Sequence, residues 1–211
     1  TGDTERFCRL WFEVSRHRSF LVTGGKADAL GSKAKWFAYN KGGSFRRWFG
    51  NWEYLVDWED DGRALKCFVD SSGKLRSRPQ NEASYFCEGL SWTKISSSFF
   101  AVRYSPPGSI GSDAGMMVLG TDSVKLRSLL GLMNSSLTTF LVSCLSQTLN
   151  FEQGVISSIP VFPLDAHNLV DKLINATKVD WNAFERSWDF QSLPILTASS
   201  EATPNLESSY T

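Results

Sequence analysis

The residues best suited to do chemistry in this sequence lie in the stretch KWFAYNKGGSFRRWFGN, residues 35 to 51. Aromatic rings are interleaved there with Lys35, Lys41, Arg46 and Arg47, and three glycines, Gly42, Gly43 and Gly50, interrupt the run. A core strand has no use for the charges, and a solvated loop has none for the rings. Cations beside a bendable backbone suit a polyanion: Lys and Arg neutralise phosphates, and a Gly-Gly step lets backbone amides approach one closely. Asn40 precedes this step, and Lys74, Arg76, Arg78, Gln80, Asn81, Lys94 and Arg103 follow it. Phosphate contacts position a protein on a duplex without reading it. Arg, Asn and Gln can also make two hydrogen bonds to one base edge in the major groove, which does read sequence. The rings of Trp36, Phe37, Trp48, Phe49 and Trp52 fit a core better than base stacking.

Catalytic chemistry finds less support. The sequence has no Gly-x-Ser-x-Gly, His-Glu-x-x-His or phosphate-loop pattern, and NKGGS (40–44) lacks the spacing of the last. With only His17 and His167 available, general-base work would fall to carboxylates, which cluster in turns such as WEDDG. No catalytic, cofactor-binding or metal-ligating residue is assigned on this basis. Cys8, Cys67, Cys87 and Cys144 are dispersed in apolar or aromatic settings without paired spacing. They are expected to be reduced, buried thiols of a cytoplasmic protein, since a zinc site needs closely spaced ligands.

These side chains need elements to position them. With 211 residues, 42% hydrophobic and 21% charged, the composition is that of a globular chain able to bury a core. No apolar run approaches membrane-spanning length, and the chain does not open on a basic n-region followed by an apolar h-region; it is expected to begin at Thr1 inside a larger protein. Net charge is zero, but residues 33–103 hold 12 Lys/Arg against 8 Asp/Glu and residues 121–211 hold 5 against 9. The middle of the chain is the part suited to face a polyanion.

Periodicity predicts a helix over 3–14, with Asp3 as N-cap and Phe7, Leu10, Trp11 and Val14 on one face, then a loop over 15–34. WEYLVDW (52–58) alternates as a strand. The Asp61-Gly62 turn is expected to return it as a hairpin through ALKCFV, and SSGK (71–74) is a further turn. ASYFCEGLSWTKI and FFAVRY read as strands, SPPG (105–108) stops the second, and MMVL (116–119) is a last short strand. After Asp122, a candidate N-cap, Leu126, Leu129, Leu130, Met133, Leu137, Phe140, Leu141 and Cys144 follow helical spacing, interrupted at Asn134-Ser135-Ser136. SIPVFP is extended, DAHNLVDKLINAT and DWNAFERSWDF are two amphipathic helices, and the chain ends in a polar stretch from residue 197. The sum is an α+β fold, a mainly antiparallel sheet flanked by helices.

The segments FRRWFGNWEYLVDWEDDG, SRPQNEASYFCEGLSWTKISSSFFAVRYSPPG, LLGLMNSS, TLNFEQGVISSIPV and DWNAFERSWDF together resemble the C-terminal half of PglX-type proteins. These are the adenine-specific DNA methyltransferases of BREX phage-defence systems. The resemblance spans about residues 3 to 190. It implies a target recognition domain similar to those of type I and type IIG restriction-modification enzymes. It divides the chain into an N-terminal helix and linker (1–34), the recognition domain (35–196, its sheet over 35–119 and its helices over 122–190) and a polar tail (197–211). It also implies that S-adenosylmethionine serves the full-length parent and not this chain. The family's Asn-Pro-Pro-Tyr motif is absent, because the lone Pro106-Pro107 stands between Ser105 and Gly108. The implied partners are double-stranded DNA, the methyltransferase half of the same polypeptide, other BREX subunits and phage DNA-mimic inhibitors, with no membrane. Asn40, Lys41, Gly42, Gly43, Arg46, Arg47, Lys74, Arg76, Arg78, Gln80, Asn81, Lys94 and Arg103 are the expected DNA-binding set, with RSRPQN (76–81) reading bases and NKGGSFRR (40–47) positioning the duplex. Two rival functions remain: a protein-interaction module docking on other defence subunits, and a stand-alone specificity subunit.

Overall fold

The computed structural model describes residues 2–21, 24–146 and 148–197. It is an α+β fold of two mostly antiparallel sheets flanked by helices. The side chain of Asp3 and the polar stretch from residue 198 onward lie outside the described residues.

The N-terminal segment departs from the expected helix and loop. Helix α1 (Gly2–Phe7) stops where Cys8–Leu10 becomes strand β1, followed by a 3-10 turn at Trp11–Glu13. A second 3-10 turn, Arg16–Arg18, leads into β2 (Ser19–Phe20), and α2 is Lys26–Gly31. Both short strands extend the sheet built on β3 (Trp36–Asn40) and β4 (Tyr54–Asp57). β1 pairs antiparallel with β4, Cys8 opposite Val56, and β3 pairs antiparallel with β4, Phe37 opposite Val56. Tertiary pairing with an open strand edge overrides the local helical period here.

The same occupancy explains why no hairpin follows β4. With β1 on one edge and β3 on the other, β4 has no edge left for a returning strand. The expected turn does form, Asp60, Asp61 and Gly62 all lying in the left-handed region, but it opens α3 (Glu59–Lys66) instead. Lys66 reaches Asp61 at 2.7 Å and Glu82 at 2.6 Å and lies 5.0 Å over the Trp58 ring, which pins this helix to the sheet.

The second sheet holds β5 (Gly89–Thr93) between β6 (Val102–Ser105) and β8 (Gly115–Leu119), all antiparallel. Pro106-Pro107-Gly108 ends β6, as expected, and carries the chain across to the first sheet. There β7 (Ser109–Gly111) runs parallel to β3, next to Ala38–Asn40, while β2 lies against Trp36–Phe37 on the same edge. The two sheets meet across a polar seam. Asn40 Nδ2 donates to Ser105 Oγ at 2.8 Å and to Ser109 Oγ at 2.9 Å, and approaches Met117 Sδ at 3.3 Å.

The other face of the second sheet carries the main core. Leu90, Trp92 and Val102 pack with Leu126, Leu130 and Met133 of α4 (Ser123–Met133) and with Val170, Ile174 and Trp181 of α7 (His167–Asn182). Asp122 caps α4 as expected, accepting from the Lys125 amide at 3.1 Å. Ser135 accepts from the Thr138 amide and starts α5 (Ser136–Leu145). The break between these helices has a specific cause. The buried Asn134 amide pairs with Val102 like a strand residue, accepting from its N–H at 3.0 Å and donating to its carbonyl at 2.9 Å. Beyond it the apolar stripe faces outward, Leu137, Phe140 and Cys144 being exposed.

α6 is Gln153–Ser157 and α8 is Pro194–Thr197. α7 runs on to Asn182, so DWNAFERSWDF forms its last turn and an irregular segment rather than a second helix. Within that segment Trp188 packs 5.4 Å from Trp52, while Phe184 is exposed. All four cysteines are free, but only Cys8 is buried; Cys67 and Cys144 are exposed, against expectation, because each lies at a helix end on the solvent side. No single described helix is long and apolar enough to cross a membrane; α4 and α5 reach that length only together, bent by 66°.

Candidate nucleic-acid interface

The glycine step of residues 40–47 is packed rather than open. Gly42 and Gly43 have φ of 83° and 137°. A Cβ on Gly42 would come within 2.8 Å of the Ala114 carbonyl, and one on Gly43 within 2.9 Å of the Asn51 side chain. Only glycine fits both the backbone and the space. Thr93 Oγ1 donates to the Gly43 carbonyl at 3.1 Å, so this turn lies on the end of β5. The rings around it are core, as expected: Phe37, Phe49 and Trp52 are buried and Trp36 and Trp48 are half-buried.

The cations of this turn are mostly engaged by the protein itself. Lys41 Nζ lies 4.3 Å from the Tyr54 ring centroid. Arg46 donates to Asp180 at 3.1 Å and stacks 4.9 Å from Trp181, so it is turned onto α7 rather than projecting outward. Arg47 lies beside Phe45, and its buried Nε has no partner among the described residues.

Two of the expected contacts are inside the fold. Asn40 serves the seam between the sheets, and Arg103 is only 3% exposed on β6. Neither side chain presents its polar end to the surface, because both occupy the face where the sheets meet. Arg103 donates to Thr93 Oγ1 at 3.3 Å and has no acidic partner among the described residues. Burial pushes its pKa down to about 10, which leaves it charged at neutral pH. Lys94, at the end of β5, is held by Asp113 at 3.2 Å and Glu152 at 3.5 Å.

The segment 74–81 is different. Lys74, Arg76, Arg78, Gln80 and Asn81 are all exposed. The segment belongs to a long excursion between α3 and β5. Asp70 opens it as an acceptor for the amides of Ser72 at 2.9 Å and Lys74 at 3.0 Å, the expected turn, and Val69 bridges Leu75 across it. The Ser72 hydroxyl and these amides hold the Asp70 carboxyl below its ordinary pKa. Asn81, in the left-handed region at φ 55°, closes the segment before a 3-10 turn at Glu82–Ser84. Arg78 has no acidic partner among the described residues. Together the two candidate loops flank the turn between β7 and β8. Gly42 packs on Ala114 on one side, and Asp113 borders a cavity of about 560 Å³ on the other, whose wall includes residues 77–81. Sequence reading gave no sign of that cavity, because its walls come from both sheets.

No family model matches the chain. The adenine-specific methyltransferase PglX of Lacticaseibacillus casei (strain Zhang) is 35% identical over 202 residues, which is 93% of this chain and 17% of that protein. The adenine-specific methyltransferase BrxX of Escherichia coli O9:H4 (strain HS) is 37% identical over 199 residues, 92% of this chain and 15% of that protein. The chain thus spans less than a fifth of these relatives. At this identity over nearly its whole length, the chain corresponds to one region of the PglX-type proteins that it matches.

Proposed function

We propose that this chain is a sequence-reading DNA-recognition region of a PglX-type adenine-specific methyltransferase, which presents the target site to a catalytic part elsewhere in the parent polypeptide. One observation carries the reading: in a chain matching methyltransferases, Arg76, Arg78, Gln80 and Asn81 stand exposed on a single surface segment. These are the residue types that make paired hydrogen bonds to base edges. Arg47 and Lys74 supply phosphate contacts from the flanking turns.

S-adenosylmethionine belongs, in this reading, to the parent. The Gly42–Gly43 turn does not fit it, since Ala114 and Asn51 already fill the space beside both glycines and no helix follows. Methyl transfer is therefore assigned to no residue of this chain. A second role, docking on protein, is favoured by the apolar side chains of Leu137 and Phe140 that α5 turns to solvent.

The test is a titration of the chain with duplex DNA by fluorescence anisotropy across a salt series. Binding at roughly 10⁻⁴ to 10⁻⁶ M near physiological salt, weakening linearly on a log–log salt plot, is the expected result. An interaction module alone would show no binding even at low salt.

A further inference from the structure

The cavity of about 560 Å³ beside residues 77–81 is a half-open cleft walled by both sheets and the segment 77–81. It falls in the size range of small-molecule sites, roughly 300–1,000 Å³. Its wall is mixed in a particular way. Tyr39, Trp58, Tyr85 and Met116 line it with flat or polarisable apolar surface. Arg78, Gln80, Asn81 and Ser112 line it with donors and acceptors. Trp58 is buried, set edge to face with Tyr85 at 5.1 Å and covered by Lys66, so it backs this wall rigidly while Tyr39, Tyr85 and Met116 supply its open surface. Burial holds Tyr39 neutral, its pKa pushed up to about 12, so its hydroxyl keeps its proton at any physiological pH.

Flat apolar walls with donors and acceptors on another side are what a planar heterocycle requires: stacking on its faces and hydrogen bonds along its edge. We propose that the cavity takes one base of the duplex, turned out of the helical stack, at a position other than the adenine that the parent methylates. This rests on the DNA-recognition reading above. The site would read one position of the target by the edge of an extruded base, while Arg76 reads in the groove. A segment of the parent polypeptide is the competing occupant, but a protein plug needs no second set of edge-reading amides at Gln80 and Asn81.

The experiment uses the full-length PglX-type parent and duplexes carrying its methylated motif, with a mismatch placed at each motif position in turn. A mismatched base is cheaper to extrude, so mismatches at extruded positions tighten binding. The expected result is tightening of about tenfold or more at two positions, the methylated adenine and one other. Ser77→Trp, which fills the cavity from a lining residue whose side chain makes no hydrogen bond among the described residues, should abolish the second response and leave the first. A response at the methylated adenine alone overturns the proposal, as does a second response that survives Ser77→Trp. If a protein segment fills the cavity, only the methylated adenine responds and Ser77→Trp lowers the Tm of the parent. Failure of the recognition reading itself looks different: Arg78→Ala would then leave the methylated motif unchanged.

Discussion

Arg103 and Arg47 show how differently two arginines of the candidate set are placed. A guanidinium buried without a carboxylate carries a desolvation cost that one hydroxyl at 3.3 Å offsets only in part. Replacing it with an apolar side chain of similar reach should therefore be tolerated. Arg103→Met is expected to leave the urea unfolding midpoint unchanged or raise it; a loss of more than about 1 kcal/mol would show that the charge is held by contacts stronger than these. Arg47, half-buried with an unpartnered Nε, should act on DNA instead. Arg47→Ala is expected to weaken all duplexes about equally and lower the salt slope by roughly one. The residue types of the site were legible in the sequence, since charge and amide content are visible there. Their engagement was not. Arg46 is bound by Asp180, which lies 134 residues away, and Lys94 by Asp113 across a strand connection. Only the fold brings such partners together, and it removes Asn40 and Arg103 from the surface altogether.

At the scale of elements, the link between α4 and the second sheet rests on Asn134. Its amide accepts from the Val102 N–H and shares the Val102 carbonyl with the Trp48 amide, in a site from which water is excluded. Asn134→Ala leaves the buried Val102 N–H unpaired, while the Val102 carbonyl keeps the Trp48 amide at 3.0 Å, and should cost about 1–3 kcal/mol, read by urea denaturation. A change of only a few tenths would mean that the break between α4 and α5 is set by Ser135 alone. The interruption itself was legible at 134–136, because Asn and Ser compete with helix through their own hydrogen bonds. The strands over 54–57, 89–93, 102–105 and 115–119 and the cap at Asp122 were legible for similar local reasons. The elements that sequence misplaced share one feature: each was decided by which strand edges were free. Residues 8–10 have a helical period yet pair with β4, and residues 64–69, expected to return from the Asp61-Gly62 turn as a partner strand, find β4 already flanked.

The molecule as a whole is tied together by a few distant pairs. Trp11 Nε1 donates to the Arg186 carbonyl and Arg16 to the Trp188 carbonyl, so the two ends of the described chain meet. At the other side Glu88 accepts from Tyr104, Ser123 and Arg127 at 2.7, 2.6 and 2.8 Å, and Arg127 continues to Asp171 on α7. Burial alone would raise the Glu88 pKa, but these three donors more than offset it and hold the carboxyl below its ordinary value of 4.5. Its contribution to stability is thus complete above that value and is lost as pH falls through the lower folded pKa. Glu88→Gln should flatten the acid limb of the Tm-versus-pH curve below about pH 4.5; an unchanged limb would place the acid sensitivity elsewhere. This network holds the second sheet against α4 and α7, and that sheet in turn carries one wall of the cavity and one side of the segment 74–81. The central claim is that this segment reads DNA. It is tested most directly by introducing Arg78→Ala and Gln80→Ala separately into a full-length PglX-type parent and profiling adenine methylation across the host genome. The account predicts that each variant still methylates, but with discrimination at one motif position relaxed by about 1–3 kcal/mol. A motif unchanged in sequence and extent in both variants would contradict it.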